Sequence, residues 1–244
     1  MLAKEEVPDS VTELFRVLFR LHESEVERFT SDQSPIGANW KTAWLELVYC
    51  ILAGTQVRSE SATEAVYALI GDLGGGILFS VMARSPERYT SRMTRVLRNA
   101  GYRFPHSKSC AIVSAAAYFP HLMHEWASPR EMNVFDARSE MVTHIRGVGI
   151  KTASLWLRNI GHDLPVVDVH VRKVLACSSS GYLNPTGNSI SDREYEATER
   201  LILQIATKTG VPSGKLDYAI WVHGKHHCSA GMCEACPFQE EGSS

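Results

Sequence analysis

Apolar side chains along this chain recur mainly at steps of three and four, the period of an α-helix, and runs that alternate every second residue are scarce. Leu14, Val17, Leu18, Leu21 and Val26 predict one helix over about 11–29, and Leu45, Val48, Tyr49 and Leu52 a second over about 42–52. A third spans about 59–70 and ends at Gly71 and the Gly74–Gly76 turn. Shorter helices follow near 77–83 and 86–99, then a loop over 100–107 carrying Gly101 and Pro105. A strong helix covers about 109–119, with Pro120 as its stop signal. Two helices, about 135–145 and 151–160, flank the very short turn Gly147-Val148-Gly149. Pro165 keeps 162–167 extended, and Asp168 is a good N-cap for a helix to about Leu175. A Ser/Gly/Asn-rich loop over 178–191 precedes two last helices, near 192–207 and 213–223. There is no internal repeat, and the fold class is all-α.

The chain has 244 residues, enough for a sizeable core and one or two domains. No stretch reaches the roughly 20 apolar residues of a membrane span, and the acidic N-terminus does not read as a signal peptide. We therefore expect an intracellular protein with no membrane partner. The net charge of −2 gives no global sign of nucleic acid, but phosphate affinity depends on where the cations lie. Between Arg84 and Lys108 seven basic residues face one acid, Glu87. Arg84, Arg88, Arg92 and Arg95 fall at helical spacing, either a phosphate-binding stripe or an ordinary solvated face.

The run from Ile145 to Val174 carries the chemistry. Two glycines between helices let the second helix start at once, with its first N–H groups and its dipole available to a phosphate. Such a hairpin grips backbone without reading sequence. Gly147-Val148-Gly149-Ile150-Lys151-Thr152-Ala153, followed by Val166-Val167-Asp168-Val169-His170, resembles the signature of the endonuclease III superfamily of helix-hairpin-helix DNA glycosylases. The resemblance extends over about 40–225, with Arg146 standing where many members have proline. It implies Lys151 as nucleophile, Asp168 as essential carboxylate, phosphate contacts from Gly147, Val148, Gly149 and Thr152, and a monovalent cation on hairpin carbonyls. It also implies two helical lobes, 40–154 and 1–39 plus 155–244, with the active site in the cleft between them.

The chemistry is consistent with those roles. Breaking an N-glycosidic bond builds positive charge on deoxyribose, which a carboxylate stabilises. An amine attacking C1′ gives a Schiff base, and the imine acidifies the C2′ proton so that β-elimination can follow. Burial lowers a lysine pKa and a close carboxylate raises it, a contest sequence does not settle. Without the signature, the favoured reading is Lys151 as a phosphate-binding surface lysine and Asp168 as a helix cap.

Finer matches point to one branch. Ile51-Leu52-Ala53-Gly54-Thr55-Gln56 resembles the superfamily segment whose glutamine enters the duplex beside the vacated base; Gln56 can otherwise be a polar cap. Arg103-Phe104 with Lys108, the run 157–161, and Leu216-Asp217-Tyr218 through Gly224-Lys225 resemble the second class of 8-oxoguanine DNA glycosylases. That resemblance implies that the Arg103-Phe104 loop meets the base opposite the lesion; Phe104 is otherwise a core residue under a loop. Members of that branch end near the Gly-Lys pair with a terminal lysine that reaches the lesion, whereas this chain continues. Three of its six cysteines, Cys228, Cys233 and Cys236, lie in that tail. Their spacing lacks the fourth cysteine of an iron–sulfur cluster, so His226 or His227 would have to complete a zinc or degenerate cluster site, the alternative being thiols without metal.

The reading is a base-excision glycosylase and AP lyase acting on double-stranded DNA with an oxidised base, 8-oxoguanine favoured, as a monomer and with no cofactor needed for chemistry. Two alternatives remain: another lesion such as an oxidised pyrimidine, or a silent helix-hairpin-helix module that only binds DNA.

Overall fold

The computed structural model describes residues 7–32, 39–54, 57–74, 79–127, 133–177, 190–231 and 236–238. Among them there is no strand, and no helix is long and apolar enough to cross a membrane. Among the described residues twelve α-helices run in the order α1 Asp9–Leu21, α2 Glu23–Asp32, α3 Trp40–Leu52, α4 Ser59–Leu73, α5 Phe79–Arg84, α6 Pro86–Asn99, α7 Pro105–Ala127, α8 Val134–His144, α9 Ile150–Asn159, α10 Val169–Cys177, α11 Asp192–Thr209 and α12 Ser213–His226. A 3-10 turn at Cys228–Ala230 follows.

Local signals explain most ends. The side chains of Asn39 and Asn133 cap α3 and α8 by accepting the backbone N–H of Lys41 and Phe135. Ser191 and Glu194 make a reciprocal capping box on α11, which ends at Gly210 in the left-handed conformation.

Four expectations fail for identifiable reasons. The single helix over 11–29 is two, because the chain breaks at His22, whose side chain is buried against α12. Pro120 does not stop α7, which continues to Ala127. Proline removes one N–H, but Phe119 and Leu122 on either side are both buried, and that packing outweighs the lost bond. Gly71 lies inside α4, which ends at Gly74. Arg84 closes α5, and Ser85 separates it from α6, which begins at Pro86 and bears Arg88, Arg92 and Arg95.

The chain divides into two compact units, residues 34–161 and residues 1–33 with 162–244. The boundary expected at 154/155 would cut through α9. That helix instead belongs whole to the first unit, where Trp156 is buried and donates its indole N–H to the Ala43 carbonyl of α3 at 2.8 Å. Trp44, Phe119 and Trp156 form the aromatic centre of this unit. The other unit buries Phe15, Leu18, Tyr195, Leu216 and Ile220. In it α10 and α12 approach so closely that a Cβ on Gly224 would stand 2.6 Å from the His170 carbonyl oxygen, so this position requires glycine.

Candidate active site

The helix-hairpin-helix comprises α8, the turn, and α9. Gly147 has φ +80, the left-handed region, and a Cβ there would meet Ala111 Cβ at 3.3 Å. Gly149 is different: its φ of −102 is open to any residue, and a Cβ there would meet nothing within 4 Å. Its lack of a side chain leaves the backbone bare at the helix start. Val148 is buried and donates its N–H to the Ile145 carbonyl at 3.1 Å, closing the turn. Ala153 N–H, bonded to the Gly149 carbonyl at 3.1 Å, opens the hydrogen-bond ladder of α9. The amides of Ile150, Lys151 and Thr152 precede it and are the free donors of a helix N-terminus. The carbonyls of Arg146, Gly147 and Val148 accept no hydrogen bond among the described residues. The turn thus has oxygen donors to spare for a hard monovalent cation.

Lys151, on the first turn of α9, is half-buried. Lys108, on α7, is its neighbour in charge: burial first, and the positive charge of Lys151 second, push the Lys108 ammonium below the usual lysine range. Lys108 Nζ lies against Gly54, where a Cβ would leave it no room. Tyr102 donates its hydroxyl to the Leu52 carbonyl at the end of α3, and burial raises its pKa to about 12. Gln56 falls outside the described residues.

Asp168 lies in the other unit, just before α10, and is half-buried. Its Oδ1 accepts the backbone N–H groups of His170 at 2.9 Å and Val171 at 3.0 Å. This fixes one carboxylate oxygen and leaves lone pairs on the other. The extended backbone before it is anchored where Val167 N–H donates to the Tyr195 hydroxyl at 3.2 Å.

Of the arginine stripe, Arg84, Arg88 and Arg95 are exposed. Arg92 is engaged: its Nε donates to Asp72 Oδ2 at 2.7 Å and its Nη2 to the Asp72 carbonyl at 2.5 Å. Arg103 is exposed and its guanidinium lies 5.0 Å from the centre of the Phe104 ring, itself only half-buried, so Phe104 is not a core residue. Sequence reasoning missed an aromatic stack in the second unit. Phe29 lies parallel to Tyr218 at 4.0 Å, Trp221 follows at 5.6 Å, and Lys225 covers Trp221 at 4.8 Å. The step of three from Tyr218 to Trp221 was visible, but the partner on α2 was not.

The tail residues of the expected metal site are described in part. Cys233 lies outside the described residues. Cys228 offers its carbonyl to Lys173 Nζ at 2.7 Å, and His226 is exposed at the end of α12. His227 instead faces inward to His22 and His223, because residues four apart share a helix face.

The chain is 31% identical over 208 residues to an 8-oxoguanine DNA glycosylase/AP lyase of Metallosphaera sedula, covering 84% of this chain and 89% of that one. It is also 31% identical over 199 residues to the enzyme of that name from Thermoplasma acidophilum, with 81% and 85% covered. The crystal structure of the Methanocaldococcus jannaschii 8-oxoguanine glycosylase/lyase with a 15mer DNA containing 8-oxoguanine shares the fold, with TM-score 0.66, 21% identity, and 90% of this chain and 97% of that chain covered. So does the 8-oxoguanine DNA glycosylase of Thermotoga maritima, at TM-score 0.67 and 23% identity, with 86% and 95% covered. Residues 23–211 match the Ogg-HhH family, described as 8-oxoguanine DNA glycosylase, and with that match and these relatives the chain belongs to the helix-hairpin-helix 8-oxoguanine DNA glycosylases.

Proposed function

We infer that this protein is a base-excision repair enzyme that removes 8-oxoguanine from double-stranded DNA and then cleaves the abasic site as an AP lyase. The observation that carries the reading is a lysine on the first turn of a helix-hairpin-helix, in a chain 31% identical to glycosylase/AP lyases over most of its length. The hairpin amides take a phosphate of the backbone, and the spare carbonyls of Arg146, Gly147 and Val148 hold a monovalent cation that supports the turn. As a protein acting on DNA, it works inside the cell, and one extruded nucleotide needs only one chain.

Lys151 Nζ, as the free amine, attacks C1′ as the bond to the base nitrogen breaks and the base leaves with the bonding electron pair, taking up a proton. Asp168 stabilises the positive charge that develops on the sugar. Ring opening gives the Schiff base between Lys151 and C1′. Loss of a C2′ proton expels the 3′ phosphate by β-elimination, and hydrolysis of the imine returns the lysine. Extrusion of the base costs a few kcal/mol of stacking. Phe104 with Arg103 is a wedge for the gap it leaves. Thr152 adds a hydroxyl beside the hairpin amides, and Lys108 a second amine near Lys151.

The test is borohydride trapping on a duplex with one 8-oxoguanine. Wild-type protein should give a covalent adduct and a nicked strand. Lys151→Gln should give neither and still bind the duplex, since the hairpin amides remain. An adduct at the wild-type rate from Lys151→Gln places the nucleophile elsewhere. The same trapping separates an enzyme from a DNA-binding module, and a panel of lesions separates 8-oxoguanine from an oxidised pyrimidine.

A further inference from the structure

Three imidazoles that the mechanism above does not use converge in the unit of residues 1–33 and 162–244. His22 stands at the break between α1 and α2, while His223 and His227 are one turn apart at the end of α12. His22 and His223 are buried, 2% and 0% exposed. His22 Nε2 is 3.2 Å from His223 Nδ1, and one ring nitrogen from each of the three lies within 4.8 Å of the others. The rings of His223 and His227 are parallel at 4.9 Å. On the far side His223 Nε2 is 3.4 Å from Cys236 Sγ, and Phe238 packs on Phe15 at 5.1 Å, so the tail is folded onto the same cluster.

A hydrogen bond accounts for the pair at 3.2 Å, but it leaves His227 Nδ1 buried without a partner. Buried polar atoms of this kind need one. A carboxylate does not fill that role, since no Asp or Glu belongs to the cluster among the described residues. Zn–N bonds of about 2.0–2.1 Å put tetrahedral ligand atoms about 3.4 Å apart, which the His22–His223 pair already matches. The spacing of His223 and His227 is the H-x3-H found in zinc sites.

We propose that His22, His223 and His227 bind one structural zinc ion, with His223 donating its outer N–H to the sulfur of Cys236. Water completes the tetrahedron. The ion ties the α1–α2 junction to the end of α12, across 201 residues of sequence, and clamps the tail against both. The cysteine spacing thus marks the region of the metal, while histidines supply the ligands.

The experiment is metal analysis of the full chain after dialysis against metal-free buffer, then titration with zinc, and with cobalt as a spectroscopic probe. One equivalent of zinc, visible cobalt bands of tetrahedral intensity, and a melting temperature raised by zinc are expected. His223→Gln and His227→Gln should lose all three; where His223→Gln fails to fold, as judged by circular dichroism, the more exposed His227→Gln decides. Cys236→Ser should keep the ion with affinity lowered about 10–100-fold, the usual cost of losing the partner of a metal-bound imidazole, and Cys228→Ser should bind as wild type. Wild-type protein that takes up no zinc, zinc retained in folded His227→Gln, or zinc lost entirely in Cys228→Ser would each overturn the assignment.

Discussion

Replacing Asp168 by asparagine and by alanine separates the two tasks of this carboxylate. Its Oδ1 accepts two backbone N–H groups, at 2.9 and 3.0 Å, that α10 would otherwise leave open. Asparagine presents an amide oxygen in the same place and caps about as well as aspartate. The charge lost at the helix N-terminus costs about 0.3–1 kcal/mol. Alanine removes the acceptor, which costs about 0.5–2 kcal/mol. In a chain of this size 1 kcal/mol moves Tm by about 2–4 °C. The Asp168→Asn protein should therefore melt at most about 4 °C below wild type, and the alanine variant lower, by up to about 8 °C. Base release should not follow that order. Both variants lack the negative charge, and loss of one well-placed electrostatic stabiliser costs about 2.7–4 kcal/mol, or about 100–1000-fold in rate. The assay is single-turnover release of 8-oxoguanine from an end-labelled duplex below the melting range, with DNA affinity measured on the same substrate. Affinity should hold or rise in Asp168→Asn, because a negative charge near phosphates has gone. If Asp168→Asn releases base at the wild-type rate and only Asp168→Ala is slow, the residue is a cap and the mechanism above is wrong.

The split in the arginine stripe is testable by salt dependence: Arg88→Gln and Arg95→Gln should weaken binding to all duplexes and reduce the slope of log K against log salt by about 1 each. Arg92→Gln, which loses the pair with Asp72, should leave that slope unchanged and lower Tm slightly; a full slope change from Arg92 would return it to the phosphate-binding set. Lys108 gives a pH signature. Its folded pKa lies below its unfolded one, so in the window between them the unfolded chain binds more protons and stability rises with pH. Below that window the cost of the buried ammonium is fully present. Lys108→Met should be more stable than wild type at neutral pH and should lose the alkaline rise in Tm; an identical pH profile for the two proteins would refute it.

The parts legible in the sequence were those governed by neighbours in the chain. Helical period and flanking polar residues located α3, α8, α9 and α11, because a cap such as Ser191 acts within one turn. The hairpin was legible for the same reason: Gly147 must adopt a positive φ within a turn too short for any other route between two helices. The places of Lys151 and Asp168 at the starts of helices follow from their neighbours in the chain by that local grammar.

Tertiary structure decided what depends on residues far apart. The break at His22 has no signal in its own neighbourhood; it exists because a residue 201 positions away receives the ring. Pro120 carries a local stop signal that buried neighbours overrule. Arg92 looks like its stripe partners until Asp72, on another helix, takes its guanidinium. The tail cysteines advertise a metal by spacing, while among the described residues the clustered donors are histidines from distant parts of the chain. Local preferences are set by backbone sterics and short-range hydrogen bonds, which sequence displays directly. Burial and long-range pairing are set by which faces meet after collapse, and only the packed helices fix those partners.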